Sequence, residues 1–449
     1  MIAAVIRWSA RNILLMLILT AAVVGAGFYT VGRLSLDAIP DLSDTQVIVY
    51  TEMPGQAPQV VEDQVTYPLT TALLAVPRSR AVRGFSFFGV SFVYVIFEDG
   101  TDIYWARSRV LEYLNSGTAK LPADVKPALG PDATGVGWVY QYVVVGANRS
   151  LAELRSLQDW YIRFGLAKAP GVAEVASVGG FVKQYNVVLD PAKLRSFGIP
   201  LGRVIEAIRG SNREVGGRVV EMAEAEFMVR GRGYVKSAAD LEQIVLKADG
   251  AAPVLLRDVA RIELGPDERR GVTELDGQGE VVGGIALQRF GQNALDVIDN
   301  AKAKVKEIAA GLPEGVRIET VYDRSELIHR AIDTLKHTLI EESIVVALVC
   351  IVFLLHVRSA LVAIITLPVG VLMAFIAMYA LGIGSNIMSL GGIAIAVGAM
   401  IDAAIVMIAT SAERACSRKM MHTSATTMLS SIRVDFNVSI ARWISSERS

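Results

Sequence analysis

The stretch SLGGIAIAVGAMIDAAIVMI, residues 389–408, decides the fold of this protein. After Ser389 it is apolar except for one carboxylate, that of Asp402. A helix of about 20 apolar residues crosses the hydrocarbon core of a bilayer. An aspartate in such a helix is costly, and it normally faces the interior of a helix bundle, where it marks a proton relay or an ion path. The alternative is a carboxylate that reaches the cytoplasmic interface, but the aspartate side chain is short. The stretch therefore predicts a membrane helix in which Asp402 marks a proton relay or an ion path.

Three methionines accompany this carboxylate. Met400 and Met407 share one stripe of the helix, about 160° around the axis from Asp402, and Met388 lies near its outer end. Thioether sulfur is a soft ligand that selects ions such as Cu(I), although a single methionine is more often an apolar filler. We interpret Met388, Met400 and Met407 as candidate metal ligands. Gly391 falls on the same face as Asp402, which suits close approach of another helix.

Apolar sequence continues on the N-terminal side of this helix. No charged residue occurs from Ser359 to Ile401, which is too long for one crossing, and the polar break Gly382–Asn386 divides it. The uncharged Asn12–Gly32 is apolar as well, and so is Thr338–Leu355 except for Glu341 and Glu342. A cleaved signal peptide is the alternative for Asn12–Gly32, but its apolar run is longer than such peptides carry. We therefore predict four transmembrane helices, at about 12–32, 338–356, 360–381 and 387–408.

The charges that flank these helices give a consistent orientation. Arg7 and Arg11 precede the first helix, and Arg358 lies between the second and the third. The positive-inside rule places all three on the cytoplasmic side. The region between the first two helices, from Arg33 to Lys336, is then external, and it has the charge and the Gly and Pro content of a soluble protein.

The composition excludes several functional classes. The chain has 449 residues, 52% of them hydrophobic and 20% charged, and its net charge of −1 gives no electrostatic basis for binding nucleic acid. The two cysteines, Cys350 and Cys416, lie outside the external region, which excludes a disulfide framework there. The sequence contains no HExxH, CxxC, GxSxG or P-loop motif, and its four histidines have no metal-ligand spacing. We predict that the protein is not an enzyme.

Strand and helix patterns repeat in the external region. The order β-α-β-β-α occurs twice, which is typical of ferredoxin-like modules. Asp102 is the expected N-cap of the second helix of the first repeat. The irregular stretch at about 180–270 is interpreted as a subdomain inserted into the second module. The strands are predicted at 45–51, 82–88, 91–97, 138–145, 172–178, 182–189, 253–257, 260–264 and 281–288. The helices are predicted at 57–74, 102–114, 151–166, 191–208 and 294–310.

Seven motifs carry a resemblance to a known family. They are DAIPDLSD (37–44), PGQAP (54–58), FEDGTD (97–102), YWARSRVLEYL (104–114), GPDATGVGW (130–138), HVRSALVAII (356–365) and NIMSLGG (386–392). Over residues 1–408 the chain resembles the heavy-metal efflux branch of the resistance-nodulation-division (RND) transporters, and more narrowly the copper and silver exporters. From Ala409 onward it departs from the family pattern.

The resemblance implies a fold and a function. The fold is an α+β membrane protein with four transmembrane helices and periplasmic ferredoxin-like porter modules that carry an inserted docking subdomain. The function is proton-driven efflux of Cu(I) or Ag(I) across the bacterial inner membrane, as a homotrimer with a periplasmic adaptor protein and an outer-membrane channel. Asp402 is then the proton-relay residue, and Met388, Met400 and Met407 pass the metal, which is substrate; no cofactor is expected.

Two alternative functions remain: an RND exporter of other metals or organic substrates, and a half-length, membrane-anchored periplasmic binding module. We expect a frameshifted or interrupted gene to explain the tail, a natural half-length protein being the other explanation. We expect the chain alone to confer no metal resistance.

These patterns divide the chain into five segments. The segments are 1–33 (first membrane helix), 34–131 (first porter module), 132–337 (second porter module), 338–408 (three membrane helices) and 409–449 (atypical tail).

Overall fold

A computed structural model describes residues 8–9, 11–248, 252–267, 271–354, 357–397 and 399 of the chain. The helices are α1 (Ile13–Val31), α2 (58–73), α3 (Ile103–Thr118), α4 (151–166), α5 (Pro191–Phe197), α6 (Leu201–Ser211), α7 (Ala238–Glu242), α8 (Leu256–Val259), α9 (Ala294–Ala309), α10 (Arg324–Leu354), α11 (Val357–Leu381) and α12 (Ile387–Val397). The strands are β1 (Gln46–Glu52), β2 (Ser79–Phe87), β3 (Val90–Phe97), β4 (Pro127–Leu129), β5 (Trp138–Gly146), β6 (Val172–Gly179), β7 (Lys183–Leu189), β8 (Val215–Met222), β9 (Ala225–Gly231), β10 (Val245–Lys247), β11 (Val254–Leu255), β12 (Ala260–Pro266), β13 (Val282–Gln288) and β14 (Val316–Asp323).

The first sheet has the strand order β2-β3-β1-β4, and β3 pairs antiparallel with both β1 and β2. Burial alternates along β1, as expected for a sheet that covers a core with one face only. That face packs against α2 and α3. Asp102 caps α3 as predicted, because its Oδ1 accepts a hydrogen bond of 2.8 Å from the Trp105 amide. The buried core residues are Val47, Val49, Val61, Val65, Leu69, Leu73, Val76, Val93, Val95, Phe97, Ile103, Ala106, Val110, Leu114 and Val125.

The second sheet has the order β14-β5-β13-β6 and is antiparallel in every pairing. It buries one face against α4 and α9. We predicted that 182–189 would continue this repeat, and this prediction is wrong. β7 pairs with β12 outside the sheet, and β13 takes the place between β5 and β6. Gly179 and Gly180 both have positive φ at the end of β6, so the chain turns away from the sheet there.

The residues between β6 and β13 form a smaller unit around β7 and β12, with its own core. The single helix predicted at 191–208 is two helices, because Gly198 adopts a left-handed φ of 64° and ends α5 before Pro200. The strand predicted at 253–257 is only the short β11, since α8 begins at Leu256. The buried core consists of Ile199, Val204, Leu241, Ile244, Leu246, Leu256 and Val259.

The apolar helices pack together at the other end of the chain. Within the described residues, only α1 is long and apolar enough over its length to span a membrane; Pro368–Leu381 and Ile387–Val397 are shorter apolar helical stretches. α1 packs on α11, where a Cβ added at Gly27 would lie 2.7 Å from the Leu372 Cβ. Four membrane-spanning helices therefore remain a prediction.

The helix predicted to begin at about residue 338 begins instead at Arg324. The residues from 324 to 337 are charged but contain no proline or glycine, so no helix breaker separates them from the apolar part. α10 consequently runs without interruption from the end of β14 to Leu354. The sequence pattern showed where the apolar part starts, and that is not where the helix starts.

Candidate metal and proton site

The break between α11 and α12 is built by two helix caps. Gly382 has a φ of 69°, and the amides of Gly382 and Ile383 donate to the carbonyls of Tyr379 and Met378, at 3.2 and 2.9 Å, which is a Schellman motif that ends α11. The next helix begins with a reciprocal cap. The Ser389 amide donates to Asn386 Oδ1 at 2.9 Å, and the Asn386 amide donates to Ser389 Oγ at 2.8 Å. The polar break predicted at Gly382–Asn386 is thus confirmed.

Met388 lies in the first turn of α12, and it is the one predicted site residue that the described residues include. Its side chain is 71% exposed within this chain. Asp402, Met400 and Met407 lie outside the described residues, so their roles stay predictions. The structure therefore does not test whether the three methionines line up along one path.

A groove of about 360 Å³ lies between α11 and α12. It is lined mainly by small and apolar side chains, with the Ser389 hydroxyl as a polar exception. On a different face of α12, a Cβ added at Gly391 would meet no atom of the described residues within 4 Å. Within the described part of the chain, the glycine face predicted to carry Asp402 is therefore open at Gly391. The groove residues are Gly370, Val371, Ala374, Met378, Ser389, Gly392, Ile393, Ala396 and Val397.

The residues that follow α1 cross over the same break. Leu36 forms a parallel bridge with Ser385, and the Asp37 amide donates to the Ser385 carbonyl at 2.9 Å. The Ser385 amide donates to the Ser35 carbonyl at 2.9 Å, and the Ile387 amide donates to Ala38 at 3.2 Å. The start of α12 is thus hydrogen-bonded to the chain that leaves α1.

A charge cluster lies where the second sheet meets α10. Asp323 at the end of β14 forms an ion pair with Lys302 of α9, and its Oδ1 accepts from the Ser325 hydroxyl at 2.6 Å and from the Ser325 amide at 2.9 Å. Burial alone would raise the pKa of Asp323. The bonds from Lys302 and Ser325 outweigh burial and hold the pKa of this carboxyl below its usual range.

The core of the second sheet contains a buried tyrosine. Tyr142 donates its hydroxyl proton to Gln158 Oε1 at 3.0 Å, and both side chains are buried. Burial raises the pKa of Tyr142 far above that of a free tyrosine, so this hydroxyl stays neutral and acts as a hydrogen-bond donor.

No group of three or more His, Cys, Asp or Glu side chains is placed to hold a metal ion in the part of the chain that the structure describes. Thioether ligands for a transported ion are a separate prediction.

The hairpin β8–β9 was missed by the sequence analysis. All its strand residues are exposed within the chain, including the apolar Val219, Val220, Phe227 and Met228. A strand with polar and apolar residues on both faces shows no alternation, so periodicity gave no signal for it. A second missed feature is the contact of Arg324 with Asp37, which are too far apart in sequence for any local pattern.

Comparison with known proteins gives consistent matches. The profile of the AcrB/AcrD/AcrF family matches residues 5–444. Cation efflux system protein CusA of Escherichia coli (strain K12) is 57% identical over 429 residues, which are 95% of this chain and 41% of that protein. Cobalt-zinc-cadmium resistance protein CzcA of Cupriavidus metallidurans is 34% identical over 427 residues, covering 93% of this chain and 39% of that protein.

Among solved structures, the X-ray crystal structure of a heavy metal efflux pump matches with a TM-score of 0.76 at 34% sequence identity. The match covers 88% of this chain and 39% of that one. The chain thus spans about two fifths of the length of the relatives that it matches.

Proposed function

The chain belongs to the AcrB/AcrD/AcrF family, and on this premise we propose that it works in the inner-membrane subunit of a tripartite pump that exports monovalent copper or silver in exchange for protons. The choice of ion class rests on the difference in the sequence identity of this chain to two relatives. Identity to the cation efflux protein CusA is 57%, whereas identity to the cobalt-zinc-cadmium protein CzcA is 34%. The chain is therefore placed nearer the first than the second.

The methionines supply the chemistry for such an ion. Thioether sulfur binds soft monovalent ions and binds hard divalent ions poorly. Met388 is exposed at the start of α12, where an ion that arrives from outside would meet it first. Met400 and Met407 follow on one stripe of the same predicted helix. In this proposal they pass the ion along the helix, one thioether after another.

Proton coupling is assigned to Asp402. Binding of a proton removes the charge of a carboxylate, and a membrane helix packs differently against its neighbours with and without that charge. The open face at Gly391 supports this assignment, because it leaves room for a partner helix on the side where Asp402 is predicted. No chemical bond is made or broken in the proposed cycle.

The proposed membrane part consists of four helices, which are α1, α10, α11 and the predicted helix 387–408. Contacts between α1 and α11 and between α10 and α11 support this grouping. A shared core of Leu335, Val371, Leu390, Ile393 and Val397 joins α10, α11 and α12. The external region between α1 and α10 would then lie in the periplasm.

The proposed assembly is a homotrimer with a periplasmic adaptor and an outer-membrane channel. The hairpin β8–β9 supports association, because a two-stranded hairpin with exposed apolar side chains and no core of its own is only marginally stable in water. We assign it to the contact between subunits.

A chimaera tests the function. Residues 1–408 of this chain would be joined to the remaining part of the E. coli relative and expressed in a strain that lacks its own copper and silver pump. We expect silver and copper tolerance to return, because this chain is predicted to supply the proton site and the methionines. Asp402→Asn should abolish that tolerance, whereas Asp99→Asn in an exposed turn should not change it.

The substrate class is tested by methionine substitutions in the same chimaera. The double variant Met400→Leu/Met407→Leu should lose copper and silver tolerance and keep its expression level. Met373→Leu is the matched control, because Met373 is an exposed methionine of α11 outside the predicted path. Unchanged metal tolerance of the double variant would favour an exporter of other substrates. If the Asp402→Asn chimaera still binds the adaptor and keeps its metal tolerance, the result would favour a periplasmic binding module.

A further inference from the structure

A buried ion pair connects two parts of the chain that are 287 residues apart. Arg324, the first residue of α10, is only 4% exposed, and its Nη1 lies 3.3 Å from Oδ1 of Asp37. Its Nη2 donates to the carbonyl of Trp138, the first residue of β5, at 2.7 Å. The other carboxylate oxygen of Asp37 accepts a bond of 3.3 Å from the side-chain amide of Gln288, the last residue of β13. Asp37 and Arg324 therefore meet at the end of the second sheet.

This ion pair also lies beside the break between α11 and α12. The Asp37 amide donates to Ser385, so the backbone of Asp37 is bonded to the break while its side chain is bonded to the sheet. Ala38 is buried in the core of the second sheet, and Leu36 packs against that core. The residues 34–38, which we term the α1 linker, are consequently held between the apolar helices and the sheet.

α10 joins the same two parts through its side chains. Ile328, one turn after Arg324, is buried in the core of the second sheet. Leu335 belongs to the core shared with α11 and α12, and Ile332 packs against both cores. The α1 linker and α10, which both run between the second sheet and the apolar helices, are therefore joined to each other by the Arg324–Asp37 pair.

Three buried polar atoms at this junction have no hydrogen-bond partner among the described residues: Nε of Arg324, Oε1 of Gln288 and Oγ of Ser385. Buried polar groups are nearly always paired, so such a group calls for an explanation. All three belong to residues that bond to Asp37. The side chains around Asp37 thus keep hydrogen-bonding capacity that no described residue uses.

We propose that Arg324 is a positioning residue which, through Asp37, locks the α1 linker and the start of α12 to the second sheet, so that the sheet and the apolar helices move as one unit. This rests on the proposed function, since a lock between these parts matters for a protein whose porter modules are moved by its membrane helices. A charged pair suits this role, because removal of the Asp37 carboxylate leaves the buried Arg324 charge without its ion partner.

A distance measurement on the full chain tests the proposal without transport. In a Cys350→Ser/Cys416→Ser background, spin labels are placed at Arg317→Cys on β14 and at Ile383→Cys in the break, both exposed positions. The unchanged junction should give one narrow distance distribution. Arg324→Gln and Asp37→Asn should each broaden it, and the double variant should broaden it no more than either single variant, because both remove the same interaction.

Two controls keep the result interpretable. Arg330→Gln removes an exposed arginine of the same helix, which pairs with Glu326 at 3.7 Å, and should leave the distribution narrow. Arg324→Lys keeps the charge and should restore most of the narrow distribution if Arg324→Gln folds poorly. A narrow distribution in both Arg324→Gln and Asp37→Asn, or additive broadening in the double variant, would overturn the proposal. If the variants broaden the distance distribution but the chimaera exports no metal, the proposed lock stands and the proposed function fails.

Discussion

Single side chains explain how several elements begin. Asp102 accepts from the amide of Trp105, and the Asn386–Ser389 pair caps α12 in both directions. The first amides of a helix have no partner within it, so such caps contribute to stability wherever a helix starts at a sharp turn. These contacts are local, which is why the cap of α3 was predictable from sequence.

The cap at Asp102 gives a first prediction. Asp102→Ala should lower the free energy of unfolding by about 1 kcal/mol, because the Trp105 amide loses its acceptor. Asp99→Ala, at an exposed position in the preceding turn, is the control and should change it little. Thermal unfolding of the purified chain provides the measurement. Equal effects of the two substitutions would contradict the capping role.

The carboxyl of Asp323 gives a prediction about pH. Its pKa is lowered in the folded protein, so it stabilises the fold above the unfolded value of about 3.9, and this contribution is lost as the pH falls through the folded value. Asp323→Asn should therefore unfold at a lower temperature than the unsubstituted chain at neutral pH. The difference should shrink as the pH falls below about 4.

Unfolding curves measured across the acid range check this behaviour. Asp333→Asn is the control, because Asp333 is exposed on α10 and lies 3.9 Å from its partner Lys336. Exposed pairs of this kind contribute little to stability. If the difference in unfolding temperature between Asp323→Asn and the unsubstituted chain stays constant with pH, the ionised carboxyl is not its cause.

The sequence predicted the strand β13 but not its place in the sheet. It lies between β5 and β6 at the centre of the second sheet, where its glycines face a crowded surface. A Cβ added at Gly284 would lie 2.3 Å from the Tyr142 hydroxyl oxygen and 2.8 Å from Gln158 Nε2. Only a residue without a side chain leaves room there for the buried Tyr142–Gln158 hydrogen bond.

The close approach at Gly284 yields a prediction for this strand. Gly284→Ala should destabilise the chain by about 1–3 kcal/mol, because the added methyl group forces Tyr142 and Gln158 apart. Tyr142→Phe in the same background should recover part of that loss by removing the hydroxyl. Gly202→Ala is the control: it lies in α6 with no atom within 4 Å of the added Cβ, so stability should stay equal or rise slightly. Chemical unfolding of the four proteins would show whether this order holds.

At the scale of the whole molecule, the exposed hairpin and the continuous helix α10 determine how the chain is organised. The hairpin β8–β9 contributes no residue to the four hydrophobic cores found among the described residues. α10 contributes to two of these cores, that of the second sheet and that of the apolar helices. The hairpin can therefore be substituted without disturbing these cores, whereas α10 connects the core of the second sheet to that of the apolar helices.

The hairpin gives a prediction about assembly. In the trimer proposed for this chain, Phe227→Asp should shift the purified protein toward monomer, because it places a charge in the apolar contact assigned to this hairpin. The unfolding temperature of the monomer should not change, since Phe227 is exposed within the chain. Light scattering in detergent measures the mass. Leu264→Asp, at an exposed apolar position on β12, is the matched control and should leave the trimer intact.

Much of the fold followed from local patterns. The apolar helix α1, the alternating strand β1, the cap of α3 and the break at Gly382–Asn386 were all predicted close to their observed positions. The family, too, was recognised correctly from its motifs. Of the predicted site residues, only Met388 lies among the described residues, at the start of α12. Asp402, Met400 and Met407 remain predictions.

The sequence by itself determined which residues are apolar, which period they follow and where a cap or a glycine ends an element, because each of these depends on neighbours within about four positions. The tertiary structure alone decided the partners. It separated β7 from β6, inserted β13 in its place and brought Arg324 to Asp37. A local pattern does not single out the partner of a strand edge or of a buried charge, because many partners would satisfy it equally well. The partner is fixed only when the chain folds around its hydrophobic cores and all buried groups must be satisfied in one arrangement.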